Sequence, residues 1–132
     1  MSSDNPQGLN KAVAEAKGWY IYHYDKGPSE YYMLMDNEGN PVNYRYHENE
    51  RKSEAEAWEK DCPNWAGDTS AALELADEAP RYEVTKMLSG RYESVLRGKE
   101  LHEGTYMSTA DTLPVSVCRA WLTWKGATAH ER

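Results

Sequence analysis

The chain has 132 residues with 22 acidic and 15 basic side chains, a net charge of -7. That balance disfavours long nucleic acid, because a polyanion is held by several uncompensated Lys and Arg contacts. No run approaches the roughly 18 consecutive apolar residues of a membrane span, and the start MSSDNPQGLN lacks the apolar core of a signal peptide. The expectation is one soluble, intracellular domain over residues 1–132, long enough to bury a core, with flexible ends at 1–7 and 127–132.

In chain order, Leu9, Ala12, Val13 and Ala16 recur at helical spacing and Gly18 follows as a stop, which predicts a first helix. Residues 19–24 are β-formers, residues 25–28 turn the chain, and residues 31–35 make a second strand. The run Asp36-Asn37-Glu38-Gly39-Asn40-Pro41 is a turn, after which Val42 to Tyr46 is expected to pair back. Residues 47–61 form an acidic segment: 47–52 reads as a solvated loop, and Ser53 as the cap of a helical turn through Trp58.

Asp68 or Thr69 caps a helix over 69–79, with an apolar stripe of Ala72, Leu75, Ala76 and Ala79 and a stop at Pro80. Residues 82–88 and 91–97 make a hairpin around Ser89-Gly90. Residues 98–104 turn again, 105–108 form a third strand, and 112–125 the last helix, with Pro114 in its first turn and Gly126 as its stop. Strands that arrive as neighbouring hairpins imply an α+β fold, an antiparallel sheet with helices packed on it in a sandwich-like α-β-α arrangement.

No phosphate-binding loop, dinucleotide fingerprint, nucleophile elbow or zinc-protease motif is present in the sequence. His23, His47, His102 and His130 are far apart, and His102-Glu103 has the composition of an acid/base pair but sits in a turn, where solvation is the simpler reading. Cys62 and Cys118 have neither C-x-x-C spacing nor scaffold density, so both are expected as reduced thiols, with Cys118 buried.

Charge is unevenly spread. Residues 47–80 hold ten acidic and three basic residues, whereas residues 81–99 hold Arg81, Lys86, Arg91, Arg97 and Lys99 against Glu83 and Glu93. Strand alternation puts Arg91, Glu93, Val95 and Arg97 on one face and Tyr92, Ser94 and Leu96 on the other. Arginine's planar fork suits phosphate oxygens; cross-strand pairing with Glu83 and Glu93 is the competing reading. The ten Tyr and five Trp, with no Phe, supply faces that stack and polar handles.

The segment NWAGDTSAALELADE resembles the opening of the middle helix in phage ABA-sandwich domain proteins. ADTLPVSVCRAWLTWKG resembles their closing T-L-P-x-x-x-C-R-A helix, and LNKAVAEAKGW their first helix and the Trp after it. The chain departs from the pattern at Trp121, where the family carries a small residue, and in a long acidic insert over 25–61. That group is similar to the Thoeris anti-defence sponges, which sequester cyclic ADP-ribose signals, and in some cases cyclic oligonucleotides, without cleaving them. The resemblance implies a homo-oligomeric binder, not an enzyme, with no cofactor or metal, acting in the cytoplasm of an infected bacterial host.

Residue type and placement nominate Arg91, Arg97 and Arg119 for phosphates, and Trp19, Trp65 and Tyr106 for base or ribose. Two other function classes compete: an acidic inhibitor that blocks a host or defence enzyme through residues 47–61, and a nucleotide hydrolase using His102 or His23.

Overall fold

The computed structural model describes residues 6–25, 30–42, 50–99 and 104–130. Its order is α1 (Pro6–Ala16), β1 (Tyr20–Tyr24), β2 (Tyr31–Met35), α2 (Glu54–Asp61), α3 (Thr69–Ala76), β3 (Arg81–Lys86), β4 (Tyr92–Arg97), β5 (Thr105–Ala110) and α4 (Leu113–His130). The fold class is α+β, with a two-stranded sheet β1-β2 and a three-stranded sheet β3-β4-β5, every pairing antiparallel. Of the return strand expected over 42–46 only Val42 is described, its N–H donating to Leu34 O at 3.0 Å; residues 43–46, the turn at 26–28, and His47 and His102 lie outside the described residues. The chain divides into two compact units, Met1–Ala12 with Asn64–Arg132, and Val13–Pro63.

In the Val13–Pro63 unit, α1 ends in a Schellman motif. Gly18 takes φ +90°, Gly18 N–H donates to Glu15 O at 3.0 Å, and Trp19 N–H donates to Ala14 O at 3.0 Å. The turn after β2 closes on Asp36, whose Oδ1 accepts from the amides of Glu38 (2.8 Å) and Asn40 (3.0 Å), with Gly39 at φ +83°.

Ser53 caps α2 by accepting from Glu56 N–H at 3.1 Å, and Glu56 reaches back to Lys52 N–H at 2.8 Å. That hydrogen bond holds the Glu56 carboxyl below its usual range. The helix runs to Asp61, past the single turn expected. The reading of 50–52 as solvated loop is corrected at Arg51. Its backbone exchanges two 2.8 Å hydrogen bonds with Tyr32, and its guanidinium grips Asp61 through Nε (2.9 Å) and Nη2 (2.6 Å). A carboxylate that is only 1% exposed needs such a partner.

In the other unit, α4 packs on β4 and β5 and also on α3, so the layers run helix, helix, sheet. Helical spacing alone gives α4 one apolar stripe, Leu113, Val117, Ala120, Trp121 and Trp124 with Cys118 near its edge, and the packing departs from it. Val117, Cys118, Ala120 and Trp121 are fully buried, and so are Pro114, Val115 and Ser116, while Leu113 and Trp124 are only half-buried. A helix between two partners keeps little solvent face along that stretch, where Arg119 is the half-buried residue among buried ones. The Ala72 and Ala76 methyls on α3, both at 0% exposure, let it approach α4 closely, and Trp121 donates its indole N–H to Glu78 Oε1 at 3.2 Å.

Two helix ends differ from expectation. α3 stops at Ala76 rather than 79, where Asp77 N–H caps onto Leu73 O and Leu75 O. α4 continues through Gly126 to His130, because Gly126 stays out of the left-handed region that would end it.

Candidate functional site

One face of the three-stranded sheet packs on α4; the other carries exposed side chains around Val95, which is itself only 8% exposed. The buried contact between Ser94 Oγ and Ser116 Oγ, 2.6 Å, fixes Ser94 and Leu96 toward the helix. Strand alternation then sends Glu93, Val95 and Arg97 to the open face, together with Arg81, Glu83 and Thr85 of β3 and Thr105, Met107 and Thr109 of β5.

On that face Arg81 stands directly opposite Arg97. Residues paired this way have Cβ atoms about 5 Å apart, and like charges so placed repel. Among the described residues neither guanidinium makes an ion pair or a hydrogen bond. Both line a cleft of 420 Å³ together with Asp77, Pro80, Glu83 and Val95. The sequence nominated Arg97 but not Arg81: a two-residue Ser89-Gly90 turn would put Gly98 opposite Arg81, whereas the loop is Leu88-Ser89-Gly90, with Met87 N–H donating to Arg91 O at 2.7 Å, and this shift of one residue brings Arg97 there.

The other nominated residues are placed elsewhere. Arg91 lies on the same face as Arg97, but six residues along a strand separate them by about 20 Å, and Arg91 Nη1 sits 3.2 Å from Asp111 Oδ1. Arg119 is half-buried and donates from Nη1 to the backbone carbonyl of Thr109 at 3.2 Å. Trp65 is buried at 7% exposure. Tyr106 lies beside Gly104, where a Cβ would stand 2.8 Å from the phenol oxygen. Trp19 is half-buried and belongs to the Val13–Pro63 unit.

A second cavity, 400 Å³, is lined by Ala66, Gly67 and Thr69 at the start of α3 and by Asp111, Thr112, Pro114 and Val115 at the start of α4. Two of the three segments that carry the family resemblance therefore meet in space. The turn that leads into α3 is held by Asn10 of α1, 7% exposed, which accepts from Ala66 N–H at 2.8 Å and donates to Asn64 Oδ1 at 3.0 Å. Gly67 is required by that arrangement, since a Cβ there would lie 2.5 Å from Asn64 Nδ2.

Among the described residues no group of three or more His, Cys, Asp or Glu is placed to hold a metal ion, and no helix is long and apolar enough to cross a membrane. Comparison of the chain with protein-family models, with curated proteins and with solved structures found no match.

Proposed function

We propose that this chain is a phage anti-defence sponge that binds a small cyclic nucleotide signal, such as a cyclic ADP-ribose isomer, and holds it without cleaving it. One observation carries the reading: Arg81 and Arg97 face each other, neither in an ion pair among the described residues, in a 420 Å³ cleft that Asp77 and Glu83 also line. Ligand pockets span roughly 300–1,000 Å³. Two planar forks side by side offer paired hydrogen bonds to adjacent phosphates, and the ligand's negative charge offsets their mutual repulsion. Nanomolar binding needs about -12 kcal/mol, within reach of charge-assisted contacts in a partly enclosed site. The resemblance of α3 and α4 to phage ABA-sandwich proteins supports the same class.

Calorimetric titration with cyclic ADP-ribose isomers and cyclic dinucleotides, followed by heating and chromatography of the released ligand, tests it. Intact ligand recovered after tight binding is the expected result. Degraded ligand makes the protein a hydrolase, and no binding across the panel removes the sponge reading.

A second reading, an inhibitor that acts by contact with a host or defence enzyme, is favoured by the Val13–Pro63 unit. Tyr20 and Tyr22 are 46% and 45% exposed on one face of β1, in a unit rich in carboxylates. Tyr faces rimmed by charge suit a protein partner. Tyr20→Ser with Tyr22→Ser separates the two readings, since it leaves nucleotide affinity unchanged and abolishes inhibition by contact.

A further inference from the structure

The three-stranded sheet has two edges of opposite character. β3 at one edge reads RYEVTK and carries Arg81, Glu83 and Lys86; β5 at the other reads TYMSTA, with no charge and no proline. Its six pairs with β4 run without a bulge. Charges, prolines and bulges are the devices that keep edge strands from pairing with other chains, and none of them lies within β5 itself.

The hydrogen-bond phase says which groups this edge presents. Gly98 N–H donates to Gly104 O at 3.4 Å, so the bonded positions of β5 are Tyr106, Ser108 and Ala110. The peptide groups of Thr105, Met107 and Thr109 face away from β4. Arg119 Nη1 donates to the Thr109 carbonyl, which keeps a second lone pair for another donor.

We propose that β5 pairs antiparallel with β5 of a second copy of this chain about a two-fold axis at Met107, joining the two sheets into one. The outward positions are symmetric about that residue. Met107 exchanges both hydrogen bonds with its own counterpart, and Thr105 does so with the counterpart of Thr109. The side chains pair Met with Met and Thr with Thr, combinations that place no like charges opposite each other. Met107 is 57% exposed in the single chain, and the pairing covers it. An isologous interface requires this self-complementarity, and the charged β3 edge does not offer it.

Light scattering and sedimentation of the full chain test the proposal. The expected result is a concentration-dependent dimer that Met107→Lys weakens by about tenfold or more, with melting temperature and nucleotide affinity retained. Mild oxidation of Met107→Cys is expected to give a covalent dimer, because bonded antiparallel partners have Cα atoms about 5.5 Å apart, within disulfide range. Lys86→Cys at the opposite edge is expected to give none. A chain that stays monomeric at every accessible concentration overturns the proposal. So does a dimer indifferent to Met107→Lys, or one that Lys86→Cys cross-links as readily as Met107→Cys.

Discussion

Arg81 lies directly across from Arg97 in the β3–β4 register, on the sheet face that α4 leaves uncovered. Two cations in that relation oppose strand pairing, so the arrangement costs stability in the free protein and gains from an anion placed between them. Stability and binding should therefore respond in opposite directions to the same change. Arg97→Glu converts the repulsion into a cross-strand ion pair and is expected to stabilise the fold by roughly 0.2–1 kcal/mol. Binding of a phosphorylated ligand is expected to weaken by ~10–100-fold, as for loss of a charge-assisted contact. Urea unfolding beside calorimetric titration checks both; unchanged affinity in Arg97→Glu and in Arg81→Ala removes the cleft from the site.

The buried pair of hydroxyls beneath the sheet makes a second prediction. Ser116 Oγ donates to Leu113 O at 2.9 Å, so the 2.6 Å contact with Ser94 Oγ is donated by Ser94. Ser116→Ala leaves the Ser94 hydroxyl without its acceptor at 0% exposure and should cost ~1–3 kcal/mol. The double variant Ser94→Ala, Ser116→Ala should cost less than the sum of the singles, and a double-mutant cycle in urea measures that coupling.

Arg51 and Asp61 hold the acidic segment to β2. Asp61 is the buried member, with its side chain 1% exposed against 21% for Arg51. Arg51→Ala strands that carboxylate and is expected to destabilise by about 3 kcal/mol, the lower end for a broken buried pair given the exposure of Arg51. Asp61→Ala leaves only a half-exposed guanidinium and should cost less. Thermal melts of the two variants test the asymmetry.

Burial pushes the thiols of Cys62 and Cys118 from 9.0 up to about 12. In the unfolded chain they lose their protons near the ordinary value, whereas the folded protein retains them. Between about 9 and about 12 the folded state therefore binds more protons than the unfolded state, and stability falls as pH rises through that window. Below it the contribution is fully present. The urea midpoint followed against pH should be flat up to the ordinary thiol value and then decline, with a shallower decline in Cys118→Ala. Near neutral pH both thiols should react slowly with a disulfide reagent until urea is added.

Much of this was legible from residues alone. The Schellman end at Gly18, the Asp68 and Ser53 caps and the Asp36 turn are local devices that short-range sequence carries; the β3–β4 hairpin was legible too, but not its register, since Met87 rather than Leu88 faces Arg91. The alternation along β4 also held, with Ser94 and Leu96 inward and Arg97 outward. The end of α4 was not legible. Gly126 is a stop only if the backbone there turns left-handed, and the helix instead keeps going.

The sequence by itself determined the α+β class, the order of elements, and which residues of β4 share a face, because hydrophobic period, caps and turns act over a few residues. Only the tertiary structure decided which charges meet. Arg97 faces Arg81 while Arg91 reaches Asp111 and Arg119 bonds Thr109. The length of the loop after Met87 sets the register that brings Arg81 to Arg97, whereas the pairing of β4 with β5 and the seating of α4 between α3 and the sheet set the other distances by packing between segments farther apart in the chain, which no local pattern encodes.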